Sequence, residues 1–78
     1  MVRVKFFAVA REVAGAAEQE APLPDDATVQ DLRAMLFAEH AGLDNLRLQF
    51  AVNWVYAQPD TPLHDGDEVA CIPPVGGG

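Results

Sequence analysis

The chain has 78 residues, half of them apolar, with a formal net charge of −7, and a chain this short buries about 60% of its unfolded surface, enough for one core and not for two. Its single cysteine, Cys71, excludes an intramolecular disulfide and a four-cysteine metal or cluster site, which suits a reducing cytoplasm. Five scattered basic residues argue against nucleic acid, and no apolar run approaches the length of a membrane span.

Val2 to Val9 carries Arg3 and Lys5 and reads as a strand rather than a signal peptide, with Val2, Val4 and Phe6 alternating against Arg3, Lys5 and Phe7. A long connection through Ala8 to Ala17, turning at Gly15, leads to a second strand over Glu18 to Leu23. That strand is closed by Pro22 and Pro24, which interrupt a hydrogen-bonded ladder. Thr28 then opens a helix. Its hydroxyl can accept from the free N–H groups of the first turn, and Asp31 occupies the acidic position of a capping box. Val29, Leu32, Met35 and Leu36 form one apolar stripe, Gln30, Asp31 and Arg33 face away, and Gly42 stops the chain just past the last turn.

Leu46 to Val52 returns to strand character, with Leu46, Leu48, Phe50 and Val52 on one side. Asn53 is a turn residue, and Trp54 to Ala57 adds a short partner strand. Pro59 and Pro62 mark an irregular crossing, Asp65-Gly66-Asp67 a tight turn, and Glu68 to Ile72 the closing strand. The order strand, strand, helix, strand, short strand, strand predicts an α+β domain in which a mixed sheet packs on one main helix, a ubiquitin-like β-grasp. It occupies residues 1–72, and residues 73–78 form a C-terminal tail.

The tail is the most informative segment. Pro73-Pro74 favours a stiff, extended exit, and Val75 is followed by Gly76, Gly77 and Gly78. Fully extended, the segment from Pro73 reaches roughly 20 Å from the sheet. Glycines lack a β-carbon, so the tail is thin enough to thread a narrow tunnel, and its last carbonyl is unhindered. An ionised α-carboxylate is a poor electrophile. It becomes an acyl donor once activated, as by adenylation with ATP, and sulfide delivered to the adenylate gives a thiocarboxylate. The plainer alternatives are a frayed terminus or a cloning scar.

Other candidates carry less chemistry. Cys71 lies inside the last strand and reads as a small core hydrophobe. His40 closes the helix, His64 lies in a polar loop, and neither has ligands at metal spacing. Asp25, Asp26, Asp65, Asp67 and Glu68 read as turn formers and solvated charge, and the terminal glycines precede no helix that could hold a phosphate. No cofactor is expected to be bound permanently. A face holding Phe7, Tyr56, Ile72 and Val75 would make a docking patch around the tail.

The run Val4-Lys5-Phe6-Phe7-Ala8 with Arg11-Glu12 and Gly15, the turn Asp65-Gly66-Asp67-Glu68-Val69, and the ending Pro73-Pro74-Val75-Gly76-Gly77-Gly78 resemble the small subunits of molybdopterin synthases. The likeness spans essentially the whole chain. It implies that an E1-like activating enzyme uses ATP to adenylate Gly78, that a sulfur donor converts it to a thiocarboxylate, and that the tail enters a large catalytic subunit. There sulfur passes to cyclic pyranopterin monophosphate to build the dithiolene of molybdopterin, within a heterotetramer. Gly78, with Gly77 behind it, would be the reacting end, and the large subunit would hold the catalytic residues. Phe7, Arg11, Tyr56 and Ile72 would lie at partner contacts, Ile72 standing where the family commonly has an aromatic. Two neighbouring readings are a sulfur carrier for thiamine thiazole synthesis and a ubiquitin-like protein modifier. A third is an interaction module with an inert tail.

Overall fold

The computed structural model describes residues 1–74. In chain order it contains β1 (Val2–Phe6), α1 (Val9–Ala14), β2 (Glu18–Ala21), α2 (Val29–Glu39), a 3₁₀ turn (Leu43–Asn45), β3 (Gln49–Val52), β4 (Val55–Tyr56) and β5 (Glu68–Ile72). The strands form one sheet in the order β2-β1-β5-β3-β4. β1 pairs antiparallel with β2 and parallel with β5, and β5 pairs antiparallel with β3. This is the expected mixed sheet on a principal helix.

Alternation sets the faces. Val2, Val4 and Phe6 of β1, Val69 and Cys71 of β5 and Phe50 of β3 turn inward, where they meet Val29, Leu32 and Leu36 of α2, together with Leu43 and Leu63. Met35, the remaining member of the apolar stripe, is half-buried at its margin. Among the described residues no polar or charged side chain is buried, so the core is held by apolar burial and packing.

The start of α2 follows the expected chemistry. Thr28 Oγ1 accepts from the Asp31 N–H, and Asp31 Oδ2 accepts from the Thr28 N–H at 2.9 Å, completing the capping box. Two further N–H groups of the first turn, those of Val29 and Gln30, donate to the carbonyls of Thr61 and Pro59. The irregular crossing after β4 therefore covers the helix N-terminus and delivers Leu63 into the core. The helix ends at His40, and Gly42 reverses the chain at φ 103°, where a Cβ would stand 3.3 Å from Val13.

Several element limits differ from the sequence reading. β1 ends at Phe6 rather than Val9, and the connection that follows contains the helix α1. Ala8 turns the chain at φ 51°, Ala10 is fully buried beneath α1, and Gly15 closes the helix in the left-handed region, donating its N–H to the Arg11 carbonyl. With two short alanines and one six-residue length, the segment carries too little pattern to stand out in sequence. β2 ends at Ala21, because Pro22 cannot donate to the ladder. β3 begins at Gln49 rather than Leu46; the 3₁₀ turn takes up the preceding residues, and Leu46 and Leu48 cover the core edge from outside the sheet.

Replacing Thr28 with Ala removes the hydroxyl that accepts from the Asp31 N–H and leaves the backbone N–H of residue 28 bonded to Asp31 Oδ2. It is expected to lower unfolding stability by about 1 kcal/mol, read from urea denaturation, with the native fold retained.

Candidate functional site

The site is built around the C-terminal end of β5. This strand is central, flanked by β1 and β3, and it hands the chain to Pro73 and Pro74 beside Phe7 and Gln49. Phe7 extends β1 by one step, donating its N–H to the Cys71 carbonyl at 3.3 Å, and its half-buried side chain turns to the face opposite α2. Pro73 is buried against the body while Pro74 is exposed, so the chain leaves the surface between them.

Beside this exit lies a groove of about 420 Å³ lined by Arg47, Gln49, Tyr56, Ile72, Pro73 and Pro74. A second groove of about 510 Å³ runs between the start of α2 and the β3–β4 edge, and it shares Gln49 and Tyr56 with the first. Of the expected contact residues, Tyr56 and Ile72 thus come together at the exit. Phe7 stands on the same outer face, but its aromatic contact is Trp54, with ring centroids 6.3 Å apart at 61°. Arg11 is exposed on α1 and is not among the residues lining either groove. Val75, Gly76, Gly77 and Gly78 lie outside the described residues.

Trp54 is the member of this surface that sequence reasoning passed over. It was read as the first residue of a short strand, whereas it is the second residue of the turn joining β3 to β4, at φ 70° and 64% exposed. Val55 and Tyr56 follow it at 69% and 68% exposure. Three consecutive large residues left open at a sheet edge are the signal that was available in sequence, since a lone tryptophan beside an Asn turn has no inward position to occupy.

Cys71, the rival nucleophile, faces α2 and is fully buried, and burial pushes its thiol up to about 12. It is a core residue. Asp67 is a turn former in the strict sense: its carboxylate accepts from the His64 N–H at 2.8 Å and from Asn53 Nδ2 at 3.0 Å. The His64 N–H bond in particular holds its carboxyl below the usual carboxylate range. Among the described residues no group of three or more His, Cys, Asp or Glu side chains could hold a metal ion, and no helix is long and apolar enough to cross a membrane.

The described residues form a β-grasp domain whose central strand leads out at Pro73 and Pro74, beside a groove that Tyr56 and Ile72 help to line. The chain belongs to the ThiS family, whose profile matches residues 4–78. It is 46% identical to the molybdopterin synthase sulfur carrier subunit of Chlamydomonas reinhardtii, over 99% of this chain and 98% of that one. The corresponding subunit of Escherichia coli is 43% identical over 100% of both chains. Among solved structures, small archaeal modifier protein 1 of Haloferax volcanii superposes with a TM-score of 0.86 at 28% identity, covering 95% of this chain and 97% of that one. Subunit 1 in the complex of subunits 1 and 2 of the molybdopterin-converting factor from Helicobacter pylori is likewise similar. Its TM-score is 0.71 at 29% identity, covering 99% of this chain and 97% of that chain.

If Cys71 is inert in the folded protein, a thiol reagent at about pH 8 should label it only as fast as the chain opens, and promptly once denaturant is added. The measurement is labelling rate by mass; prompt labelling without denaturant would return Cys71 to the list of reactive groups.

Proposed function

We propose that this chain is the sulfur carrier subunit of a molybdopterin synthase, with Gly78 as its reacting residue. The observation that supports the reading is the end-to-end likeness to sulfur carrier subunits of that enzyme, together with the Pro-Pro-Val-Gly-Gly-Gly segment.

The chemistry proceeds in three exchanges. An oxygen of the Gly78 carboxylate attacks the α-phosphorus of ATP on an E1-like activating enzyme, and pyrophosphate leaves. Sulfide (HS⁻) supplied by a donor then attacks the mixed anhydride at the carbonyl carbon, a C–S bond replaces the C–O bond to phosphate, and AMP departs. The resulting thiocarboxylate is the nucleophile that attacks a carbon of cyclic pyranopterin monophosphate held by the large subunit, displacing an oxygen substituent, and water then cleaves the acyl C–S bond, leaving sulfur on the pterin and returning the Gly78 carboxylate. This chain's own contribution is positioning. The buried Pro73 fixes where the tail starts, and the segment from Pro73 to Gly78 spans at most roughly 20 Å, so the large subunit must rest against the rim of the exit to receive its end. Phe7, Tyr56 and Ile72 form that rim, with Arg11 on the neighbouring helix as a peripheral contact.

A second reading, a protein modifier joined through Gly78 to lysines, is favoured by the likeness to the archaeal modifier protein. It differs in the nucleophile that meets the adenylate, an amine in place of sulfur.

Incubation with ATP, a sulfur source and the cognate activating enzyme should give an intact-mass gain equal to one oxygen replaced by sulfur, located at Gly78. Deleting Gly78, or adding one residue after it, should abolish the gain while the circular dichroism spectrum is retained. Sulfur incorporation by the extended protein would overturn the role of Gly78, and isopeptide adducts in place of a thiocarboxylate would establish the modifier reading.

A further inference from the structure

The turn between β3 and β4 holds two consecutive non-glycine residues in the left-handed region. Val52 pairs with Val55, leaving Asn53 and Trp54 as a two-residue turn with φ of 49° and 70°. Such turns favour Asn followed by Gly, because both residues are left-handed. An L-residue with a large side chain is disfavoured in that region relative to the right-handed form. At Asn53 the geometry is held by three hydrogen bonds. Its N–H donates to the Glu68 carbonyl at 2.7 Å, its Oδ1 accepts from the Glu68 N–H at 3.1 Å, and its Nδ2 donates to Asp67 Oδ1. These bonds pin the turn to the entrance of β5 and so fix the direction in which the next side chain leaves.

That side chain is Trp54. Its ring meets Phe7 and lies 5.8 Å from Lys5 Nζ. Phe7 and Lys5 stand on β1 and its extension, and β5 runs between β1 and β3, so the indole crosses the outer face of β5. Ala70 lies directly in its path, paired on one side with Lys5 and on the other with Ala51. This accounts for an otherwise odd feature: Ala70 and Ala51 point away from the core and are nevertheless only 2% and 4% exposed. The two alanines keep this part of the outer face shallow, between the turn that carries Trp54 and the Phe7 and Lys5 side chains that it reaches. With Phe7, Trp54 extends the rim of the tail exit along β5 toward Glu68.

We propose that Trp54 is the anchor by which this chain docks on the large synthase subunit, its indole entering an apolar pocket of that partner. This rests on the reading of the chain as the synthase's sulfur carrier. The occupant follows from reach: a partner that takes in the end of the tail rests on the exit rim, and Trp54 meets that rim through its edge-to-face contact with Phe7. An exposed tryptophan is a side chain that often dominates such contacts, and here it stands in a backbone conformation that favours glycine.

The test uses the full chain and its cognate large subunit. Trp54→Gly puts the favoured residue into the turn, so its thermal midpoint should equal or exceed that of the parent, while Kd for the large subunit should rise roughly tenfold or more. In the unsubstituted chain, the single tryptophan replaced by 5-fluorotryptophan should give a fluorine resonance that shifts and loses its H₂O/D₂O sensitivity on saturation with the large subunit. This second readout holds even where the variant folds poorly. A Trp54→Gly Kd within about threefold of the parent, or an unmoved resonance at saturation, would overturn the anchor while leaving the carrier reading intact. A resonance that shifts with the chain's own concentration alone would assign the face to a second copy and also overturn it. Failure of the parent chain to bind the large subunit would remove the carrier reading, and the anchor with it.

Discussion

The parallel pairing of β1 with β5 is the constraint on which the rest of the molecule depends. It sets residues from the two ends of the chain side by side, Val4 against Val69 and Phe6 against Cys71, and all four are buried against α2. Closing so long a loop costs chain entropy, and the return comes from apolar burial on both sides of the pairing. Because β5 is enclosed by β1 and β3, its path cannot shift without breaking both ladders. The point at which the chain leaves the sheet is therefore among the most rigidly placed features of the fold. A carrier that must deliver one atom into another protein's interior needs such a fixed origin for its tail.

The same enclosure decides the character of the two faces. Inward positions of β5 are Val69 and Cys71, which meet the helix; outward positions are Glu68, Ala70 and Ile72. Small residues at Ala70 and the adjoining Ala51 let large side chains from the sheet's periphery lie flat across its centre. Phe7 and Trp54 do so, the second from a turn locked by Asn53 and Asp67. The lowered ionisation of Asp67 belongs to this lock rather than to any proton transfer, since the carboxylate is occupied by an N–H donor and an amide. The outer face thus sets apolar side chains beside the Lys5–Glu68 ion pair on an otherwise acidic protein.

The parts of the fold that could be read along the chain are those with local causes. The capping box at Thr28 and Asp31, the apolar stripe of α2, the turn at Asp65 to Asp67 and the exit of β5 are each specified by a few neighbouring residues. α1 was missed because six residues carry less than two turns of pattern, and its helical state depends on Ala10 finding a buried place beneath it. β3 was drawn too long because Leu46 and Leu48 keep strand-like alternation, yet both are used to close the core edge after a 3₁₀ turn. That Tyr56 and Ile72 lie beside the exit was legible in sequence, whereas the association of Phe7 with Trp54 was not.

By itself, the sequence determined the order of the strands and the principal helix, the cap of that helix, and the inward role of Cys71. These depend on periodicity and on side-chain chemistry, both of which are properties of short stretches. Tertiary structure alone decided which residues meet on the outer face. Trp54 and Phe7 are far apart in the chain and on strands that are not neighbours, and they touch only because β5 between them presents an alanine. A contact of that kind depends on sheet order and on the size of an intervening residue, and neither is encoded in the local pattern around either ring.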